Sequence, residues 1–139
     1  MPARVRDGEL ALSEARSILH ILSGDLWAGA EAQAFHLLAA LRKRGAFEPH
    51  AILLNEGLLA ERLRAEGVPV RVVSEKGAGL PSLARWARMR AAETDALLLH
   101  THGYKEDLIA VLANRSRGVP LVRTQHGSPF PGGRLRYRL

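Results

Sequence analysis

Two histidine–glycine pairs stand directly after apolar runs of the sequence. The segment HTHG ends with His102 and Gly103, and the segment TQHG ends with His126 and Gly127. A neutral imidazole can donate or accept a hydrogen bond, transfer a proton or bind a metal ion, and glycine lets the chain turn sharply or a ligand approach closely. The repeated pattern therefore predicts that His102 and His126 point into one ligand cleft.

His100 and His102 form an H-x-H pair, and such a pair at a strand end can chelate zinc. Residues two apart on a strand point to the same side, so the two rings are expected to be neighbours. The sequence suggests only His126 and Asp25 as further ligands, and the ammonium group of Lys105 would repel a cation. We therefore expect no metal ligands and no cofactor, and a zinc-dependent hydrolase is kept only as a rival interpretation.

The segment SGDLWAGAE, residues 23–31, is a third polar loop of interest. Its glycines, Gly24 and Gly29, have the spacing of a Walker A loop, but Ala30 and Glu31 stand where Lys and Ser or Thr are required. The G-x-G-x-x-G pattern of dinucleotide-binding folds is also absent from the sequence. Two interpretations remain: backbone N–H groups at a helix N-terminus that bind an anion, or glycines that only permit a tight turn.

The hydrophobic pattern alternates between strand-like runs and helical spacing. Strands are predicted at residues 17–22, 47–54, 68–73, 96–100 and 119–124, and helices at 30–44, 58–66, 82–94 and 106–114. Leu37 and Trp86 are expected on the buried sides of the first and third helices. This alternation predicts a Rossmann-like α/β fold with an open, doubly wound, mostly parallel sheet of about five strands.

The predicted fold also indicates where the polar loops should meet. In an open parallel sheet, ligands bind in the crevice beyond the carboxyl ends of the strands. Residues 23–29, 100–105 and 124–127 follow predicted strands and are therefore expected to line one crevice.

Length and composition indicate one globular domain. The chain has 139 residues, of which 47% are hydrophobic and 24% charged, and we assign residues 1–16 to a polar N-terminal segment and 17–139 to the domain. The absence of cysteine excludes disulfides and thiolate catalysis. No apolar run has the length of a membrane span and the first residues lack the apolar region of a secretory signal, so a cytoplasmic protein is expected.

The charge balance favours anionic partners. Lys and Arg number 20 against 14 Asp and Glu, which gives a net charge of +6. Aromatic residues make up only 5% and are not interleaved with the arginines, so a nucleic-acid partner is not expected. The basic residues 134–138 are either a solvated helix start or a contact with an anionic membrane surface at the inner face of the membrane.

Four features in this order resemble the N-terminal domain of the retaining family-four glycosyltransferases, which have the two-domain GT-B architecture. They are a strand with a glycine loop, AGAEAQAFHLLAALRKRG, DALLLHTHGYKEDLIAVLA and VPLVRTQHG, and the resemblance covers residues 17–130. It implies transfer of a hexosyl group, with retention, from a nucleoside diphosphate sugar to a glycan or lipid-linked acceptor. Helix N-termini and cationic side chains can stabilise the departing diphosphate without a metal.

The resemblance also implies residue roles. His102 would lie beside the transferred sugar as the catalytic residue, the glycine loop and first helix would face the diphosphate, and Lys105 would suit an acidic group of donor or acceptor. The implied substrate-binding residues are Gly24, Gly29, Ala30, Glu31, Lys105 and His126.

The resemblance covers only one of the two domains of a GT-B enzyme. The family's C-terminal donor-binding domain, with its E-x7-E segment, is missing from the sequence. We therefore expect a fragment or truncated form that is inactive alone. The alternative is a non-catalytic module that binds a nucleotide or another anion through the same loops.

Overall fold

The structure is a computed structural model and describes residues 16–126. Strands and helices alternate along this part of the chain. The strands are β1 (Arg16–Leu22), β2 (Phe47–Leu53), β3 (Val70–Val72), β4 (Leu98–Thr101) and β5 (Leu121–Arg123). The helices are α1 (Gly29–Arg44), α2 (Leu58–Ala65), α3 (Leu80–Glu93) and α4 (Tyr104–Ala113). Every predicted element exists with the predicted type, but β3 and β5 are shorter than expected. Gly127, the basic residues 134–138 and the polar segment before Arg16 lie outside the described residues.

The sheet has the strand order β3-β2-β1-β4-β5, and each pair of neighbours is parallel. The predicted doubly wound, Rossmann-like α/β fold is therefore confirmed. From β1 the chain first builds outward through β2 and β3, then returns to place β4 on the other side of β1. The strand order reverses between β1 and β4, where a crevice forms at the carboxyl edge of such sheets.

Each face of the sheet is covered by a pair of helices. On one face α3 and α4 pack against β1 and β4, with Leu19, Leu99, Ala87 and Ile109 in the core. On the other face α1 and α2 cover β1 and β2, with Leu38 fully buried. The two cores fix the strands that carry the polar loops.

Two predictions about helix faces were wrong. α1 buries Ala34 and Leu38, while Leu37 is 37% exposed. The buried stripe of α3 consists of Leu83 and three alanines, and Trp86 is 39% exposed beside the guanidinium of Arg71. Small buried residues make the contact stripe narrow, so the large side chains at its border stay near solvent.

Two helices, α3 and α4, begin two residues earlier than the sequence predicts. α3 begins at Leu80 because Pro81 suits the first turn of a helix, and α4 begins at Tyr104, directly after Gly103. Among residues 16–126, no helix combines the length and the apolar composition needed to cross a lipid bilayer.

Candidate functional site at the carboxyl edge of the sheet

The loops after β1 and β4 enclose a small crevice of about 30 Å³. Its lining residues are Leu22, Ser23, Ala30, Glu31, His102 and Glu106. The structure thus brings the N-terminal turn of α1 next to His102, as expected for loops at one edge of a parallel sheet. The volume suffices for a water-sized occupant, and the crevice is the point where both loops can contact a ligand.

The loop after β1 depends on the backbone of the loop after β2. Gly24 has a φ of +73°, and a Cβ at this position would lie 3.3 Å from the carbonyl oxygen of Asn55. The Asn55 amide group donates to the carbonyl oxygen of Ser23 at 3.1 Å. Gly29 differs, because a Cβ there would meet no atom within 4 Å. Gly24 is therefore required by geometry, and Gly29 is not.

The N-terminus of α1 is capped by a carboxylate. Ala28 has no side-chain acceptor, and Glu31 instead accepts a hydrogen bond from the Ala28 N–H at 3.2 Å. A negative charge in the first turn is favourable because the N–H groups there carry the positive end of the helix dipole. The other N–H groups of the first turn lack an acceptor within the helix, which leaves them free to bind an anion.

Four histidines lie together beside this crevice. His20 and His100 are register partners on β1 and β4, and their ring centroids are 4.9 Å apart. The His102 ring stacks 4.3 Å from that of His100 and lies 5.7 Å from that of His126. His20 was not predicted as a site residue, because it lies within an apolar strand. The available signal was its position near the end of β1, matching that of His100 in β4.

His102 lies between two other imidazoles. Its Nε2 is 3.5 Å from Nδ1 of His20, and its Nδ1 is 3.4 Å from Nε2 of His126. His100 uses Nε2 to contact the hydroxyl of Thr124 at 2.8 Å. The predicted site residues His102 and His126 are thus in contact, and the segment after β5 supplies two partners of the cluster.

Three of these histidines, His20, His100 and His102, are uncharged near neutral pH. The pKa of His102 is lowered to about 3, mainly by burial and in smaller part by the neighbouring His100 and His126. Burial is also the main cause that holds the pKa of His20 well below its ordinary value and lowers the pKa of His100. Each of these rings therefore keeps a nitrogen lone pair available to accept a hydrogen bond or bind a metal ion.

Lys105 and Glu106 begin α4 next to the cluster. The Lys105 ammonium group donates to a carboxylate oxygen of Glu75 at 2.7 Å, and this bond raises the pKa of Lys105. Glu106 is buried, and burial raises its pKa. Its carboxylate occupies the space that a Cβ at Gly103 would need, so a larger residue there would displace the Glu106 side chain.

Sequence comparison identifies a family for most of the chain. Residues 28–139 match the family described as "Glycosyl transferase 4-like domain". The comparison with curated proteins gave no match.

Solved structures with the same fold include glycosyltransferases. A Rickettsia africae glycosyltransferase gives a TM-score of 0.72 at 17% identity, covering 89% of this chain and 33% of that one. Anabaena Alr3699/HepE in complex with UDP-glucose gives 0.62 at 22% identity, covering 77% of this chain and 28% of that one. Acinetobacter baumannii MurG gives 0.60 at 14% identity, with coverage of 79% and 35%.

The chain spans about a third of the length of these proteins. At such identities the likeness shows the fold, and the family match adds the relationship by sequence. The chain therefore belongs to the glycosyl transferase 4-like domain family and has the fold of the N-terminal domain of a GT-B glycosyltransferase.

Proposed function

We propose that this chain supplies the N-terminal, acceptor-side domain of an enzyme that transfers a hexosyl group from a nucleoside diphosphate sugar with retention. The observation that carries the proposal is the shared crevice of the α1 N-terminus and His102 in a chain of this family. The likeness to Alr3699/HepE, which was solved with UDP-glucose, supports a nucleotide sugar as the donor.

The first part of the site would face the diphosphate. Gly24 shapes the loop, and the free N–H groups of the first turn of α1, from Gly29 and Ala30 onward, favour negative charge. Glu31 keeps the Ala28 N–H satisfied, which stabilises the helix end in the absence of a ligand. Charge that develops on the leaving diphosphate is stabilised by such fixed dipoles, since they need not reorganise during the reaction.

The second part of the site would contact the transferred sugar. His102 is neutral and partly buried at the crevice, and a sugar hydroxyl would replace His20 as the hydrogen-bond partner of its Nε2. His126 lies against it and would help to fix the ring. Lys105 is bound to Glu75 and would exchange this partner for an acidic group of the donor or acceptor.

The remainder of the enzyme would come from a C-terminal donor-binding domain, which pairs with domain 17–139 across the cleft. This chain alone is then expected to show no transfer. The acceptor would be a glycan or a lipid-linked molecule, and we place the protein in the cytoplasm or at the inner face of the membrane. A nucleotide-binding module without catalysis is the second candidate, because the same loops and the net charge of +6 would serve it.

Titration of the isotope-labelled chain with UDP, followed by backbone amide NMR, tests the binding step. We expect the largest shifts at Gly24, Gly29, Ala30 and Glu31, with none at Gly45 at the opposite end of α1. Absence of shifts at the crevice at millimolar UDP would contradict the proposal. Binding without transfer, even in a protein that includes the C-terminal domain, would favour the non-catalytic module.

A further inference from the structure

We propose that His20, His100 and His102 form a binding site for a divalent transition-metal ion of the zinc class. The sequence offered no credible third ligand for the H-x-H pair. The parallel register of β1 and β4 supplies it, because His20 and His100 are direct partners on neighbouring strands. One ring nitrogen from each of the three histidines lies within 4.8 Å of the other two. This inference does not rest on the proposed transferase function.

The spacing of the nitrogens suits a bridging ion. Zinc–nitrogen bonds of about 2.0–2.1 Å place two ligands of a tetrahedral site roughly 3.3 Å apart. Nδ1 of His20 and Nε2 of His102 are 3.5 Å apart, which is close to that edge and longer than a good N–H hydrogen bond. The third nitrogen, from His100, lies within 4.8 Å of the other two.

His20 has an unexplained buried nitrogen. The residue is 0% exposed, and its Nε2 finds no hydrogen-bond partner among residues 16–126. Buried polar atoms are normally paired, so an unpaired one in the middle of an apolar strand calls for another role. Ligation through Nδ1 leaves Nε2 as an N–H group, so the unpaired nitrogen shows only that hydrogen bonding does not explain this buried ring, and the proximity of the three ring nitrogens carries the metal site.

The rings also have the outer contacts that metal-binding histidines usually show. Thr124 contacts His100 at 2.8 Å, and His126 contacts the ring nitrogen of His102 on the side away from His20. Such contacts fix the tautomer and orientation of ligand rings. Both partners come from the segment after β5, so one strand end supports two ligands.

The ligand chemistry selects the ion. Three neutral imidazoles favour zinc, copper, nickel or iron, whereas calcium and magnesium prefer oxygen ligands. His102 lines the crevice, which gives an ion access and leaves room for a water molecule at the fourth position. The Lys105 charge is balanced by Glu75, which removes the repulsion that argued against a metal in the sequence analysis.

Zinc binding to the 139-residue chain, after metal is removed with EDTA, tests the site directly. After dialysis against zinc, metal analysis should find one zinc per chain, and cobalt should give the intense visible absorption of a tetrahedral site. Zinc should shift the NMR ring signals of His20, His100 and His102 and raise the melting temperature, while magnesium should do neither. Because this readout uses the unaltered protein, it does not depend on whether a variant folds.

Variants then assign the ligands. His102→Ala and His20→Asn should weaken zinc binding by at least about 100-fold, and Thr124→Val by about 10–100-fold, as for an outer contact. His36→Ala is the matched control, because His36 is an exposed histidine on α1 and should leave binding unchanged. Zinc binding that survives His102→Ala, or that is lost with His36→Ala, would overturn the site. So would a failure of the ring signals to respond to zinc, whatever the outcome of the UDP titration.

Discussion

His50 and His20 are both buried in strands of the same sheet, yet their surroundings differ. His50 on β2 is 8% exposed, and each of its ring nitrogens has a partner. Nδ1 accepts from the Arg90 guanidinium at 3.4 Å, and Nε2 lies 3.6 Å from a carboxylate oxygen of Glu48. His20 on β1 is 0% exposed, and within residues 16–126 its ring nitrogens contact only another imidazole, that of His102.

The difference separates two reasons for burying a histidine. His50 faces α3, and its contacts with Arg90 and Glu48 explain why a histidine is buried there. His20 faces the opposite side of the sheet and joins His100 and His102, where no packing requirement explains three adjacent imidazoles. We therefore propose the carboxyl edge of β1 and β4 as the functional region and the β2 side as scaffold.

The largest expected effect is a loss of catalytic activity on substitution at the carboxyl edge of β1 and β4. In a protein that includes the C-terminal domain, His102→Ala should lower kcat by about 10²–10³-fold, the loss typical for one hydrogen-bond donor or acceptor at the reacting group. The melting temperature should change little, because residues at strand-end loops contribute function more than core packing. Steady-state kinetics and thermal unfolding of the same samples give both quantities.

His50→Ala is the control for this experiment. It should lower the melting temperature, because Arg90 loses an acceptor, and leave kcat per folded molecule unchanged. Proportional losses of activity and stability in both variants would remove the distinction between the two histidines.

A second experiment compares the two histidines by stability alone. In EDTA, His20→Leu should raise the free energy of unfolding by about 1–3 kcal/mol, the cost of an unpaired buried polar group. His50→Leu should instead lower it by about 0.5–1.5 kcal/mol, the net value of a hydrogen bond. Urea unfolding at pH 8 measures both.

Zinc should sharpen this contrast. With zinc present the wild-type protein gains stability from binding and the His20→Leu variant does not. The excess in free energy of unfolding that the variant shows in EDTA should therefore shrink or change sign. If His20→Leu lowered the free energy of unfolding in EDTA, the His20 ring would already have favourable partners. His20 would then be a packing histidine like His50.

A third experiment tests the loop that adjoins the cluster. Gly24→Ala should cost about 1–2 kcal/mol, because the left-handed backbone at φ +73° is unfavourable for residues with a Cβ. Gly29→Ala should be neutral or slightly stabilising, since its Cβ would meet no atom within 4 Å. Chemical denaturation distinguishes the pair, and equal costs would contradict the assignment of Gly24 as the geometrically required glycine.

The fold could be predicted because local patterns determine most of it. Apolar runs ended by glycine or by polar residues specified the order of strands and helices, and alternation alone implied a parallel sheet. The helix faces were less predictable. Leu37 and Trp86 have the spacing of buried residues, but the buried stripes, Ala34 and Leu38 on α1 and Leu83 with three alanines on α3, leave both side chains partly exposed.

The site was only partly predictable because its contacts are distant in sequence. HTHG indicated His102, but the partner His20 is 82 residues away and becomes a neighbour only through the strand order β2-β1-β4. Pairing of Lys105 with Glu75 likewise joins the first turn of α4 to the loop after β3, which no local pattern connects. Composition and spacing report which residues can do chemistry, whereas register decides which of them meet.

The smallest expected effect concerns the pH dependence of stability on the scaffold side. Burial is the main cause that lowers the pKa of His50, Arg90 lowers it further, and Glu48 opposes both. The unfolded chain protonates this histidine near its ordinary pKa of about 6.5, whereas the folded protein resists protonation. The folded state therefore binds fewer protons below that pH, and stability falls as the pH decreases through 6.5.

His50→Gln should remove part of this loss, because glutamine stays neutral in both the folded and the unfolded state. The free energy of unfolding, measured by urea at pH 8 and pH 5.5 in EDTA, should fall less on acidification in the variant than in the wild type. The buried cluster of His20, His100 and His102 contributes a loss of the same sign to both proteins, so only the difference between the two slopes reports on His50. Identical slopes would mean that Glu48 compensates fully for the burial of His50, and the scaffold side would then contribute nothing to the acid sensitivity of the fold.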